Sequence, residues 1–269
     1  MPDHEPSDPT EQRDPFSTPE VAEAHQDMVE QSGDEAINLG SYSDEEILAL
    51  TFDGLDRPVP TPWLDSLEPH EHELAVAGGM RSLTVRGLLE ALPLDDVTGT
   101  IRQTSPPEIW ALVRMRRQAP TMIVAERATT LGTDWIVLYE VERDRWLAEF
   151  ITAAGFHEFV LAPAQDTAFA LLGWSGVVPE SPVPDLDLRL TVEEVEAEDP
   201  RLAPVGQSLV AVTLSRTTIT DPDQISWYGL YSGPEGSYLS RRDADGLVRF
   251  RGEDYQGLEV FVDALLQES

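Results

Sequence analysis

The amino-acid sequence predicts an α+β fold in which a helical N-terminal module precedes two antiparallel β-β-β-β-α halves. Apolar residues recur with a helical period in capped segments between residues 43 and 120. From Thr121 the period changes to two, which is typical of half-buried strands. An order of four strands and one helix then occurs twice, at 121–172 and at 208–267. We therefore expect the two halves to have a pseudo-two-fold relation.

Residues 1–42 are predicted to form a disordered acidic tail. They hold 11 acidic residues and one arginine, and proline, glutamine and serine are frequent among them. Such a composition does not bury enough apolar surface to offset the loss of chain entropy. Thr18-Pro19-Glu20 is a helix-start signal within this stretch, and we expect a transient helix there.

Residues 43–174 are predicted to contain a helical, winged-helix-like module followed by the first sheet half. Ser43-Asp44-Glu45-Glu46 is a capping box that precedes an apolar run. Pro69 begins a longer helix that ends before Gly87, and Pro107 begins a third. Strands are predicted at 122–125, 135–139, 146–150 and 156–160, and a helix at 164–172.

The second half occupies residues 208–269, after a linker at 175–207 that is rich in proline and acidic residues. Within the linker, one short helix is predicted near 191–197. The second half has predicted strands at 209–214, 225–231, 236–240 and 247–250, and a helix at 254–266.

Two missing residue types exclude many kinds of enzyme. The chain has 269 residues and no cysteine, and all 18 of its cationic side chains are arginine. Without lysine there is no Schiff base and no P-loop lysine. Without cysteine there is no thiolate nucleophile, no thiolate zinc site and no disulfide. We therefore predict no enzymatic activity and no cofactor.

Charge argues against nucleic acid as a partner. The formal net charge is -32, and residues 43–269 hold 39 acidic residues against 17 arginines. Such a surface repels a polyanion unless its cations are strongly focused. No apolar run approaches the length of about 18 residues that spans a bilayer, and the N-terminus lacks the basic and apolar regions of a signal peptide. We expect a cytoplasmic protein that does not insert into membranes.

Three groups of residues suggest chemistry, and each has a simpler interpretation. His70 and His72 are only two residues apart, so a helix points them in different directions and no metal site is predicted. His157 is the one histidine within a predicted strand, where a surface or hydrogen-bonded core residue is the usual outcome. Arg114, Arg116 and Arg117 form the densest basic spot, which is a candidate contact for a phosphate or an acidic partner. The simpler interpretation is that cations near the C-terminal end of a helix complement its dipole and pair with the acidic residues of the chain itself.

The element order from Ser43 to about residue 267 resembles that of the EspG family of actinobacterial type VII (ESX) secretion-associated proteins. The residues that carry the resemblance are Pro62-Trp63-Leu64 and Arg86-Gly87-Leu88-Leu89, together with the two β-β-β-β-α halves. The resemblance implies a cytosolic chaperone that binds hydrophobic secretion substrates, notably PE–PPE pairs, and a fold with quasi-two-fold halves.

The leading hypothesis is therefore an EspG-like chaperone or adaptor that shields an apolar surface of a secreted PE/PPE- or WXG-type substrate. Such a site needs an exposed apolar patch or a free sheet edge. The candidate partner-binding residues are Trp227, Tyr228, Tyr231 and Tyr238. A winged-helix-like regulator that acts through protein or DNA contacts is the alternative, and an enzyme that uses only carboxylates, histidine or arginine is a third.

Overall fold

A ten-stranded antiparallel sheet is the centre of the fold in the computed structural model, which describes residues 15–51, 59–95 and 100–267. Its strands, in chain order, are β1 (Ile37–Ser43), β4 (Thr121–Thr129), β5 (Gly132–Glu142), β6 (Arg145–Ile151), β7 (Phe156–Pro163), β8 (Asp187–Leu190), β9 (Val210–Thr218), β10 (Ser226–Gly233), β11 (Gly236–Arg242) and β12 (Val248–Glu253). A separate hairpin joins β2 (Glu90–Asp95) and β3 (Thr100–Thr104). The order across the sheet is β1-β7-β6-β5-β4-β9-β10-β11-β12-β8.

Helices cover both faces of the sheet. They are α1 (Pro19–Gln31), α2 (Asp44–Thr51), α3 (Pro69–Val85), α4 (Pro107–Gln118), α5 (Ala164–Trp174), α6 (Val192–Glu196), α7 (Ala203–Gly206) and α8 (Tyr255–Gln267). On one face, α1 to α4 share a core with β4 to β7. On the other face, α5 and α8 pack together over strands from both halves. None of the helices in the described ranges is long and apolar enough to cross a bilayer.

The α+β class and the predicted strands and helices of the two halves are confirmed. All eight predicted strands are present and lie in a single sheet, because β4 of the first half pairs with β9 of the second over nine residues. The two halves therefore do not form separate domains. α2 begins at the predicted capping box, in which the Ser43 amide donates to Glu46 Oε2 at 3.1 Å.

The described part of the predicted acidic tail is folded, whereas we expected disorder. Residues 1–14 lie outside the described residues. From there on, α1 buries Val21 and Val29 against the core, and Phe16 meets Trp110 of α4 edge-on, with the ring centroids 5.3 Å apart. β1 then pairs with β7 at the edge of the sheet. The average composition of the whole tail concealed these few well-placed apolar side chains.

The predicted linker at 175–207 is also part of the body. It contributes β8 to the sheet edge and contains α6, whose capping box of Thr191 and Glu194 confirms the short helix predicted near 191–197. Leu190 and Val205 pack with Tyr238 and Phe250 in a small third core. The proline-rich segment therefore has only short helices and strands, but it packs against the rest of the fold.

At Gly252, the 175–207 segment crosses β12. Its amide donates to the Leu186 carbonyl at 2.9 Å, and a Cβ atom there would collide with the backbone oxygen of Pro184. We expect Gly252→Ala to lower the free energy of unfolding by about 1–3 kcal/mol, because the backbone must move apart. Urea unfolding measures this change. Gly173→Ala in α5 is the control, since open space surrounds that position and we expect no loss of stability.

Candidate functional site

Five polar side chains meet in the core on the face of the sheet that carries α4. All are nearly inaccessible, with exposures between 0% and 6%. They come from five different elements: Asp44 of α2, Arg116 of α4, Tyr139 of β5, Glu149 of β6 and His157 of β7. We call them the buried network. Charged groups in the core require partners to remain ionised.

His157 lies at the middle of the buried network and contacts a carboxylate on each side. Its Nε2 is 2.6 Å from Asp44 Oδ1, and its Nδ1 is 2.6 Å from Glu149 Oε1. Glu149 also accepts from Arg116, with Nε to Oε2 and Nη2 to Oε1 both at 3.0 Å. The Tyr139 hydroxyl donates to Glu149 Oε2 at 2.7 Å. Every oxygen of Glu149 therefore has a hydrogen-bond donor.

Asp44 connects the buried network to the Pro62-Trp63-Leu64 segment. Its Oδ2 accepts from the backbone amides of Trp63 at 2.8 Å and Leu64 at 3.0 Å. Its own amide donates to the Gly155 carbonyl at 2.9 Å. Gly155 has a φ of +75°, and a Cβ atom there would lie 2.6 Å from Asp44 Oδ2. This position requires glycine for its backbone conformation and for the close approach of the carboxylate.

The burial and the contacts of these groups set their protonation. Burial alone lowers the pKa of His157, but the hydrogen bonds to Asp44 and Glu149 outweigh it and raise that pKa. Burial alone raises the pKa of Glu149, but Arg116 and His157 outweigh it and lower that pKa. For Tyr139, burial and the neighbouring Glu149 carboxylate both raise the pKa. These shifts favour an ionised Glu149 beside two cations, His157 and Arg116.

The buried network is badly placed for catalysis. A nucleophile or general base must reach a substrate atom within hydrogen-bond distance, and these side chains are sealed from solvent. A surface groove of about 410 Å³ lies elsewhere, beside Gly176, Val178, Leu209 and Pro234. Of the two outcomes expected for His157, a surface residue or a hydrogen-bonded core residue, the structure shows the second.

Arg86-Gly87-Leu88-Leu89, the second segment that carries the family resemblance, also connects separate parts of the fold. Arg86 donates from Nη1 to Glu46 Oε2 at 2.7 Å and from Nη2 to the Ser41 carbonyl at 3.0 Å. Its guanidinium lies 5.2 Å from the centre of the Tyr42 ring. The end of α3 is thereby tied to β1 and α2.

The other candidate groups have structural partners. Glu68 and Glu71 form a capping box at the start of α3, where His70 and His72 also lie. Among the described residues, no three histidine or carboxylate side chains are grouped to hold a metal ion. The predicted basic spot is divided, because Arg116 is buried in the network while Arg114 bonds Gln118 on the surface. The Arg117 guanidinium stacks 4.7 Å above Phe16.

The four predicted partner-binding aromatics lie in different surroundings. Trp227 is 55% exposed. Tyr228 points to the opposite face of the sheet, half-buried against Phe261 of α8 with the ring centroids 5.2 Å apart. Tyr231 and Tyr238 both join the third core, where Tyr238 is only 2% exposed. Trp227 is therefore the one of the four that presents a large apolar surface to solvent.

Trp227 stands in a strip at the centre of the sheet, on the face that carries the buried network. Trp227 of β10 pairs with Ser215 of β9. In the adjacent row of the same face, Trp135 of β5, Glu126 of β4 and Thr213 of β9 lie side by side. Trp227, Glu126 and Thr213 are exposed, whereas Trp135 and Ser215 are half-buried. Trp135 Nε1 donates to Glu126 Oε2 at 3.2 Å. We call these five residues the central strip.

Compared with models of known protein families, the chain matches none, and no curated protein matches it either.

Proposed function

We propose that this chain is a protein-binding chaperone or adaptor of the EspG kind, which works in the cytoplasm and shields an apolar surface of a secreted substrate. The observation that carries the proposal is the central strip, where Trp227 is 55% exposed near the middle of the sheet, between the core beneath α1 to α4 and the small third core. A large exposed aromatic side chain is typical of a protein interface, since aromatic residues supply much of its binding energy.

The arrangement of the halves supports the same proposal. Read inward from each edge, the sheet runs β1-β7-β6-β5-β4 and β8-β12-β11-β10-β9, so each half is a four-strand meander with one added edge strand. Each meander leads into a helix, and these helices, α5 and α8, pack together. We propose that the halves are related by a pseudo-two-fold axis between β4 and β9, as the EspG resemblance implies.

The sheet edges are poor alternatives for partner binding. β8 is only four residues long, and β1 carries a bulge between Asn38 and Gly40. Short or bulged edges resist the addition of another strand. The Ser41 carbonyl of β1 is also occupied by Arg86. The central strip is therefore the better candidate for the binding surface.

We expect Trp227→Ala to weaken binding of a PE–PPE pair from the same genome by about 2 kcal/mol or more, which is roughly 30-fold in Kd. Removal of the indole takes away the largest exposed apolar group of the central strip. Calorimetric titration of the purified pair into each variant measures the affinity. Phe169→Ala is the matched control, because Phe169 is 69% exposed but lies on α5, across the sheet.

Two results would contradict the proposal. The first is the absence of binding between the unmodified chain and every PE–PPE or WXG-type pair of the genome at low and at physiological salt. The second is an equal loss of affinity in the Trp227 and Phe169 variants, which would place the contact away from the central strip.

A further inference from the structure

One carboxylate joins the α2 helix and the Trp63–Leu64 segment to the sheet, beside the apolar side chains of α2 that pack in the shared core. Asp44, the first residue of α2, takes the two backbone amides of Trp63 and Leu64 on Oδ2 and meets His157 of β7 through Oδ1. Within this segment Trp63 is 38% exposed, whereas Leu64 is only 1% exposed. α2 packs chiefly against α3, and the two helices form one unit. The contact between Asp44 and His157 is thus a joint between this unit and the sheet.

The state of the joint depends on how many protons His157 carries. A neutral imidazole has one N–H, whereas the imidazolium has two. His157 has a carboxylate within 2.6 Å of each ring nitrogen, so only the imidazolium donates to both. In the neutral form, one ring nitrogen places its lone pair against a carboxylate oxygen. Glu149 Oε1 still accepts from Arg116 Nη2, whereas in the described residues Asp44 Oδ1 is bonded only by His157.

The groups around His157 determine which contact yields. Glu149 keeps Arg116 of α4 and Tyr139 of β5 when the imidazolium charge is lost. Among the described residues, Asp44 contacts no cationic side chain besides His157. On the β1 side, His157 lies opposite Tyr42, whose ring faces Arg86. The uncompensated charge therefore falls on Asp44, which can regain hydration only if α2 moves away from the sheet.

We propose that Asp44, His157 and Glu149 form a proton-operated latch. With His157 protonated, α2 and the Trp63–Leu64 segment are held on the sheet. When the proton is lost, they loosen while the sheet and the pair of Arg116 and Glu149 stay in place. This device is separate from the central strip and does not depend on the identity of any partner.

The direction of the pH dependence follows from the raised pKa of His157. A group whose pKa is raised on folding contributes stability that is complete below its unfolded value of about 6.5. That contribution is lost as the pH rises through the higher folded-state value. The latch is therefore closed in mild acid and opens on the alkaline side of the folded-state pKa.

Hydrogen–deuterium exchange of the full chain tests the latch at about pH 6 and about pH 9, with rates corrected for base-catalysed chemical exchange. We expect protection of α2 and of residues 62–67 to fall by up to tenfold for each pH unit above the folded-state pKa, as one released proton requires. Peptides from α5 and α8 serve as internal references and should keep their protection. Equal protection of α2 at both pH values would overturn the proposal, as would a parallel loss in α2, α5 and α8.

Two variants make the test specific. Asp44→Asn is neutral, so its amide can donate to a neutral His157 while its oxygen still accepts from Trp63 and Leu64. We expect this variant to stay closed above the folded-state pKa of His157, where the unmodified chain opens. His157→Gln carries no titrating group, and we expect α2 to lack protection at both pH values. An Asp44→Asn variant that opens with pH as the unmodified chain does would refute the latch.

Discussion

Arg116→Met is expected to lower the free energy of unfolding by about 3–5 kcal/mol. Arg116 is 6% exposed and donates twice to Glu149, which is fully buried. Methionine retains much of the apolar stem but no charge, so Glu149 and Asp44 are left with one cation, His157. Chemical unfolding at neutral pH, followed by circular dichroism, measures the loss.

The same variant should show a changed pH dependence. Burial by itself raises the pKa of Glu149, and Arg116 is the main group that lowers it. Without Arg116, the carboxyl group takes up a proton more readily, which removes the uncompensated charge. The stability difference between Arg116→Met and the unmodified chain should therefore become smaller as the pH falls toward the range in which Glu149 is protonated.

A double variant separates the charge effect from a loss of packing. Adding Glu149→Gln to Arg116→Met removes the carboxylate charge that has lost Arg116. The glutamine side chain can still accept from Tyr139. We expect the double variant to be more stable than Arg116→Met alone, with an interaction energy of about 1–3 kcal/mol. Arg114→Met is the control on the same helix, and it should change stability by no more than about 0.5 kcal/mol. A double variant less stable than Arg116→Met would show that packing dominates.

Parts of the buried network were visible in the sequence. Glu149 stands at an apolar position in the strand Trp146-Leu147-Ala148-Glu149-Phe150, and Arg116 lies on the apolar side of α4. A charge placed among core positions indicates a buried partner. The identity of that partner was not predictable, since Arg116 and Glu149 are 33 residues apart and Asp44 and His157 are 113 apart. Such pairs arise from the topology, not from local spacing.

The difference between local and long-range pairing also explains which strands the sequence predicted. The eight strands of the two meanders pair with neighbours across short turns, so the alternation of apolar residues predicted them well. β1 and β8 lack that support. β1 pairs with β7, more than 100 residues later, and β8 is a four-residue strand in a proline-rich segment. Tertiary pairing creates these edge strands, and their own sequences carry little β-strand signal.

Trp146→Ala is expected to have the other large effect, a loss of about 3–5 kcal/mol in the free energy of unfolding. Trp146 of β6 is 0% exposed and lies in the core beneath α5 and α8. That core combines side chains of the first half, such as Leu138, with Leu230 and Leu239 of the second. A cavity at Trp146 therefore weakens a layer that belongs to both halves, although the residue itself is in the first.

This shared core makes the result informative about the architecture. Because β4 and β9 pair along their whole length and α5 packs on α8, we expect both halves to unfold in one transition. Hydrogen exchange in increasing urea should show β5–β7 and β10–β12 losing protection at the same urea concentration, which is lower in Trp146→Ala than in the unmodified chain. Leu131→Ala, at a turn position that is 97% exposed, should leave that concentration unchanged. Continued protection of β10–β12 after β5–β7 have opened would mean that the halves are independent folding units joined only at the centre of the sheet.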